Sequence, residues 1–283
     1  MNVYKIVTDQ ICQQLEQGVV PWRKPWKDGV AVNWKTQKPY RGINVFLLPP
    51  GEYATFKQIQ EHGGRVKKGE KGHIVVFWKW LEKENEETGE IEKFPLLRYY
   101  KVFEVNTQAE GIPSRRQEPE QVEETFEHDV VAACEAIIEG YQDAPEIRYF
   151  SGEAYYHKVY DYIHCPPLKD FESLSSFYGV LFHELVHSTG HPRRLNRKGI
   201  AGRSKFGDED YSQEELVAEL GSAMLCAHAG ISSDRNIQNS ASYIQHWLDV
   251  LRADERLVVR AASQAQKACD YILGKFEDEE NDD

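Results

Sequence analysis

No uncharged apolar run in the 283 residues approaches the length that a bilayer-spanning helix needs, so the sequence offers no membrane anchor. Cysteine is scarce. Cys12, Cys134, Cys165, Cys226 and Cys269 are odd in number, widely scattered and without a CxxC pair. That pattern excludes a disulfide scaffold and points to free thiols in a reducing compartment. The first 17 residues carry Lys5, Asp9 and Glu16 and lack the apolar stretch of a secretory signal. Internal repeats are absent. These absences predict a soluble, cytoplasmic protein with no membrane partner.

Positive charge is also in short supply: 34 Lys+Arg face 46 Asp+Glu, for a net charge of −12. Taken whole, such a chain looks like a poor partner for nucleic acid. The deficit is uneven, however. Residues 1–79 hold 13 cations and 6 anions, and residues 112–283 hold 17 and 32. A basic front and an acidic back imply two different partners.

What is present divides the same way. An apolar stripe at Val3, Ile6, Val7, Ile11 and Leu15 predicts a helix stopped by Gly18. Turn-like, aromatic and basic segments follow at 21–27 and 39–44, the second running into Val45-Phe46-Leu47-Leu48. Residues 53–62 read as a short helix. Strands at 74–80 and 96–105 predict a hairpin with a charged loop between them. Residues 111–119 have linker composition. Beyond them come a helix over 122–141, strands at 147–150 and 159–165, and helices near 174–190, 213–229, 240–253 and 255–275. The tail at 277–283 is acidic.

His183-Glu184-Leu185-Val186-His187 matches HExxH, a string that this composition produces about 0.04 times by chance. On a helix, His183 and His187 lie one turn apart on one face, where both imidazoles can hold a single Zn²⁺. Glu184 is rotated by roughly 100° and is suited to take a proton from water. A third ligand is needed, and Ser212-Gln-Glu214-Glu215-Leu-Val-Ala-Glu219 supplies carboxylates. Glu215 as ligand, with Glu219 one turn on as outer-shell support, fits zinc's habits. Ser212-x-x-Glu215 is also a capping box, which would occupy Glu215 and pass the ligand role to Glu219 or Glu214. The extended HExxHxxGxxH pattern fails, because its last position is Arg193. His191, Tyr178 and Tyr211 remain open as stabilisers of a developing oxyanion.

In the front half, Trp22, Trp26, Trp34, Tyr40 and Tyr53 interleave with Arg23, Lys24, Lys27, Lys35, Lys38 and Arg41. Arg65, Lys67, Lys68 and Lys71 form a second basic cluster. Bases of a single strand stack on exposed aromatics while cations follow the phosphates, so this pairing points to a nucleic-acid surface. The same tryptophans could instead fill a core.

Both halves together resemble the ArdC-type antirestriction proteins of conjugative plasmids and other mobile elements. In the front half the likeness rests on Leu15-Glu16-Gln17-Gly18, Pro21-Trp22-Arg23-Lys24-Pro25-Trp26, Pro39-Tyr40-Arg41-Gly42-Ile43-Asn44, Tyr53-Ala-Thr-Phe56-Lys-Gln58 and Val66-Lys67-Lys68-Gly69-Glu70-Lys71-Gly72. In the back half it rests on His183 to His191, Tyr211 to Gly221 and Ser242 to Leu248. One departure is Val102-Phe103-Glu104, where the family usually has Val-Phe-Asn. The resemblance implies an α+β architecture of two domains. Residues 1–112 would bind single-stranded DNA, through Trp22, Arg23, Lys24, Trp26, Tyr40, Arg41, Asn44, Lys67, Lys68 and Lys71. Residues 120–283 would form a mostly helical zincin-like metallopeptidase domain with a small sheet. One Zn²⁺ per chain would sit on His183, His187 and Glu215 with Glu184 as general base, acting on a protein or peptide substrate. The function implied is protection of incoming DNA from host restriction. The alternative is a non-enzymatic protein that shields single-stranded DNA and whose zinc is structural.

Overall fold

The computed structural model describes residues 2–23, 26, 29–84, 91–116, 126–202, 209–232 and 241–275. Lys24, the hairpin tip at 85–90, the 117–119 end of the linker and the acidic 277–283 lie outside the described residues. The chain divides into two units, Met1–Ile11 with Val30–Gln117 and Cys12–Gly29 with Glu118–Asp283. Both mix helix and strand, and the fold class is α+β. No described helix is long and apolar enough to cross a membrane.

The first unit contains the start of α1 (Val3–Glu16), then β1 (Ala31–Asn33), α2 (Asn44–Leu47), β2 (Gly51–Thr55), α3 (Phe56–Glu61), β3 (Arg65–Val66), β4 (His73–Glu84), β5 (Ile91–Glu104), α4 (Val105–Gln108) and β6 (Ala109–Glu110). Four strands make a sheet in the order β1-β2-β5-β4, with β1 and β2 parallel and the other pairs antiparallel. β-branched and aromatic side chains along His73–Trp80 favour the extended state, and the hairpin runs longer than the spacing predicted.

The expected helix over 53–62 is a strand followed by a shorter helix. Tyr53 and Ala54 are buried in the sheet, opposite Glu104 and Phe103. The helix starts only at Phe56, where the Thr55 hydroxyl accepts from Gln58 N–H and the Gln58 side chain accepts from Thr55 N–H. That reciprocal cap, Thr55-x-x-Gln58, was legible as a start signal. The apolar run 45–48 closes into α2. It ends at an extended Leu48, as the following Pro49 requires.

The second unit contains α5 (Phe126–Gly140), β7 (Glu146–Tyr149), β8 (Tyr155–His157), β9 (Tyr162–Cys165), α6 (Leu174–Thr189), α7 (Lys198–Ala201), α8 (Glu209–Ala229), α9 (Ala241–Ala253) and α10 (Leu257–Ile272). A three-stranded sheet in the order β7-β9-β8 has β7 parallel and β8 antiparallel to β9. α6 opens on Ser173, whose hydroxyl accepts from Ser176 N–H. The sequence predicts that α6 buries one stripe. The fold buries it from Ser176 to Thr189 with the sole exception of Val180, because α8, α10 and β9 pack around it. α8 crosses it closely. A Cβ at Gly221 would lie 2.8 and 2.9 Å from the two methyls of Val186, so only glycine admits this approach.

Residues 12–29, which precede the linker, pack with this unit. Trp22 Nε1 donates to the Tyr243 hydroxyl at 3.0 Å, and the Trp22 ring meets that of Trp247 edge-on at 5.9 Å.

Candidate metal centre

Helical spacing places His183 and His187 on one face of α6, and α8 brings Glu215 against them. The three donor atoms lie within 4.8 Å of one another. His183 Nε2 and His187 Nε2 are 3.1 Å apart, and each is 3.6 Å from a Glu215 carboxylate oxygen. Ligands at zinc's bond lengths of about 2.0–2.1 Å in a tetrahedron stand about 3.3 Å from each other. The donor triangle therefore matches a small divalent cation in size as well as in chemistry. Two imidazole nitrogens facing at 3.1 Å repel unless a proton or a cation lies between them.

The electrostatics agree. Burial alone would lower the basicity of His187. The hydrogen bond to Glu214 and the charges of Glu215, Glu184 and Glu214 overcome it and push the imidazole up to about 9. Burial would likewise raise Glu215, but the His183 hydrogen bond, the two imidazoles and the Tyr211 hydroxyl pull it down to about 2. A pocket whose carboxylates raise the basicity of a buried imidazole is one that favours positive charge.

Glu214 has a different task from its neighbour. Its Oε1 sits 3.1 Å from His187 Nδ1, so the imidazole donates there and its Nε2 lone pair faces the site. Arg197, at the N-terminus of α7, holds Glu214 in turn: Nε donates to Oε2 at 2.9 Å and Nη2 to Oε1 at 2.6 Å. Further Arg197 N–H groups donate to Val186 O at 2.7 Å and to the Thr189 hydroxyl at 2.5 Å. All of these groups are buried. Outer-shell support for His187 therefore comes from Glu214, where the sequence pointed to Glu219. Glu219 pairs with Arg23 at 3.4 Å. Sequence reasoning missed Arg197 altogether, because nothing in its local pattern announces a partner 17 residues away.

The surroundings of the remaining candidates differ. α8 is already helical at Glu209, three residues before Ser212, so Ser212 is not its N-cap and the capping box does not form. Tyr211 hydrogen-bonds Glu215, and burial with the charges of Glu215 and Glu184 pushes its hydroxyl up to about 12. Tyr178 is committed elsewhere, donating to Glu135 at 2.6 Å. His191 caps its own turn, its Nδ1 accepting from Arg193 N–H at 3.2 Å. Glu184 is buried within this site, its charge acting on His187, Tyr211 and Cys165.

The aromatic and basic residues of the front half divide between the two units. Trp22 and Trp26 are 1 % and 2 % exposed, so neither presents a face on which a base could stack. Arg23 is buried with its guanidinium 3.9 Å from the Tyr243 ring centre. Trp34 and Tyr53 are core residues, Trp34 Nε1 donating to Pro113 O. Tyr40 is half-buried against that core, and burial raises its hydroxyl far above the usual phenol range. Asn44 clamps β4: its amide donates to Val76 O and accepts from Val76 N–H, both at 2.8 Å. Arg41 is half-buried, and Lys67 donates to Thr107 O at 2.7 Å. Lys68 and Lys71 are exposed.

Comparison with known proteins matches the two parts of the chain in sequence order. Residues 1–103 match the family described as the N-terminal domain of anti-restriction factor ArdC, and residues 132–264 match that described as zincin-like metallopeptidase. Uncharacterized protein y4eC of Sinorhizobium fredii is 32% identical over 98% of this chain and 93% of its own length. DNA primase TraC of Escherichia coli is 33% identical over 94% of this chain, which spans only 26% of that protein. Two crystal structures of antirestriction protein ArdC from plasmid R388, one metal-free and one Mn(II)-bound, are similar. They share 37% and 35% identity, each with a TM-score of 0.73, and cover 97% of this chain and 98% of theirs. With both units matched in order and nearly the whole chain covered, the protein belongs to the ArdC family of antirestriction proteins, with a zincin-like domain behind the ArdC N-terminal domain.

Proposed function

We propose that this protein binds single-stranded DNA through its first unit and hydrolyses a peptide bond at a zinc site in its second, protecting incoming mobile-element DNA from restriction. The observation that carries the hydrolytic part is the triangle of His183, His187 and Glu215, whose separations suit one tetrahedral ion and leave a fourth position open among the described residues. A bound zinc would lower the pKa of water and polarise a carbonyl. Glu184 then takes the proton from the attacking water and returns it to the leaving amine. Tyr211, already beside Glu215, is the group positioned to donate to a developing oxyanion. Glu214 and Arg197 keep His187 in the right tautomer and orientation. The Mn(II)-bound R388 structure supports a divalent-metal site of this kind, and two imidazoles with one carboxylate favour zinc.

Metal analysis of the purified chain beside its His183→Ala variant tests the site: about one zinc in the parent and none in the variant is expected. Glu184→Gln should keep the zinc and abolish cleavage of an unfolded protein substrate. Equal zinc in parent and His183→Ala, or undiminished cleavage by Glu184→Gln, would remove the assignment. Binding of the whole chain to a labelled single-stranded oligonucleotide at low salt, weakening steeply as salt rises, tests the other half.

A further inference from the structure

With Trp22, Trp26, Trp34 and Tyr53 withdrawn into cores, a stacking surface must come from aromatics that water can reach. In the first unit these concentrate on the β4–β5 hairpin: Phe77, Trp78, Phe94 and Tyr99 are each 38–42% exposed. The register sorts them by face. Phe77 lies directly opposite Arg98, Lys79 opposite Leu96, and Leu81 opposite Phe94. Because side chains alternate along a strand, Phe77, Lys79, Leu81, Phe94, Leu96 and Arg98 all project from one face. Phe77 also contacts the Tyr100 ring at 5.6 Å on that face. Phe77 and Phe94 are separated by four strand positions, about 13 Å, and Lys79 and Arg98 stand between or beside them.

Two features distinguish this surface from an ordinary solvated hairpin. Lys79 and Arg98 are exposed, and neither has an ion pair or hydrogen bond among the described residues. Lys101, on the opposite face, is likewise exposed and has no ion pair among the described residues. Exposed cations with no ion pair among the described residues, set among large rings open to water, form the arrangement that a single-stranded polynucleotide needs: rings for bases, ammonium and guanidinium for phosphates. The second feature is the pair of rings, Phe77 and Phe94, each 42% exposed on this same face.

We infer that the Phe77–Lys79–Phe94–Arg98 face of the hairpin is the principal single-stranded-DNA contact of the first unit, with Phe77 and Phe94 as stacking platforms. This rests on the DNA-binding reading above. It moves the contact away from the Trp22-Arg23-Lys24-Pro25-Trp26 string.

The test uses the full chain and a fluorescein-labelled single-stranded oligonucleotide, followed by anisotropy across a salt series. Phe77→Ala and Phe94→Ala should each weaken binding about five- to hundredfold. Phe77→Tyr should bind as the parent does, and Phe77→Leu should behave like the alanine variant, since leucine keeps apolar bulk but not a ring face. Lys79→Gln combined with Arg98→Gln should reduce the slope of log affinity against log salt by about 1.4. Parent-like binding by Phe77→Ala and Phe94→Ala overturns the assignment while leaving DNA binding itself intact. Absence of binding by the parent at low salt overturns both. Retained affinity in Phe77→Leu beside a loss in Phe77→Ala would make Phe77 a packing residue rather than a stacking platform. Loss of self-association in the alanine variants, with no change in DNA affinity, would make it an interface between two copies. Either result overturns the proposal.

Discussion

Around the candidate metal centre, arginines are buried against carboxylates: Arg197 on Glu214 and Arg194 on Asp161, with Arg23 on Glu219 further along α8. On the β4–β5 hairpin, Lys79, Arg98 and Lys101 are exposed and form no ion pair among the described residues. A desolvated cation costs several kcal/mol unless it is fully paired, so the second unit's arginines are committed to holding structure. A solvated cation has no such commitment and remains available to an incoming anion. Net charge by itself conceals this difference, because it counts both kinds equally.

The largest test of the comparison removes a buried cation. Arg197→Met leaves Glu214 uncompensated, and a stability loss of about 3–5 kcal/mol is expected in chemical denaturation. Zinc affinity in the folded variant should fall about 10–100-fold in a chelator competition, because His187 loses its oriented partner. Undiminished affinity would detach Arg197 from the site. Lys79→Gln, at the other extreme, should leave stability within about 0.5 kcal/mol of the parent.

Gly221→Ala probes the helix crossing that brings Glu215 to the histidines. The new Cβ would meet both methyls of Val186, a stiff β-branched side chain, and a loss of about 1–3 kcal/mol is expected. Val186→Ala in the same chain should restore much of it. A neutral Gly221→Ala would mean that the helices separate at little cost.

A pH-dependent effect is expected at Asp161. Burial would raise its carboxyl, but two Arg194 hydrogen bonds at 2.8 and 3.0 Å and one from the Tyr156 hydroxyl hold it below the usual range. A depressed folded-state pKa contributes stability above the unfolded value, and that contribution disappears as pH falls through the folded one. Asp161→Asn preserves the left-handed backbone there, φ 52°, because asparagine tolerates it. Near neutral pH the variant should be less stable by about 1–3 kcal/mol. The gap to the parent should close as pH drops below the depressed pKa. A gap that stays constant with pH would show that the ion pair contributes nothing through its charge.

Much of the site was readable before any fold was known, for reasons specific to each residue. His183 and His187 belong together because one helical turn separates them, a local relation. Glu215 could be nominated, but choosing it over Glu214 and Glu219 depended on which side of α8 meets α6. Adjacent residues on a helix diverge by about 100°, so Glu215 faces both Nε2 atoms while Glu214 reaches the far nitrogen of His187. Arg197 carried no signal, since its partner lies across a tertiary contact. The aromatic string at 22–26 misled for a related reason: tryptophan serves equally as an exposed platform and as core filler, and only burial tells them apart. The hairpin was predicted as a hairpin, yet which of its rings face water depended on register.

The sequence by itself determined the division into a basic front and an acidic back, the helical pairing of His183 and His187, and the family, because these depend on composition, short spacings and ordered motifs. Only the tertiary structure decided which carboxylate meets both imidazoles, which arginine supports them, and which aromatics remain open to water. Those outcomes follow from long-range packing and desolvation, which join residues far apart in the chain and leave no local pattern to read.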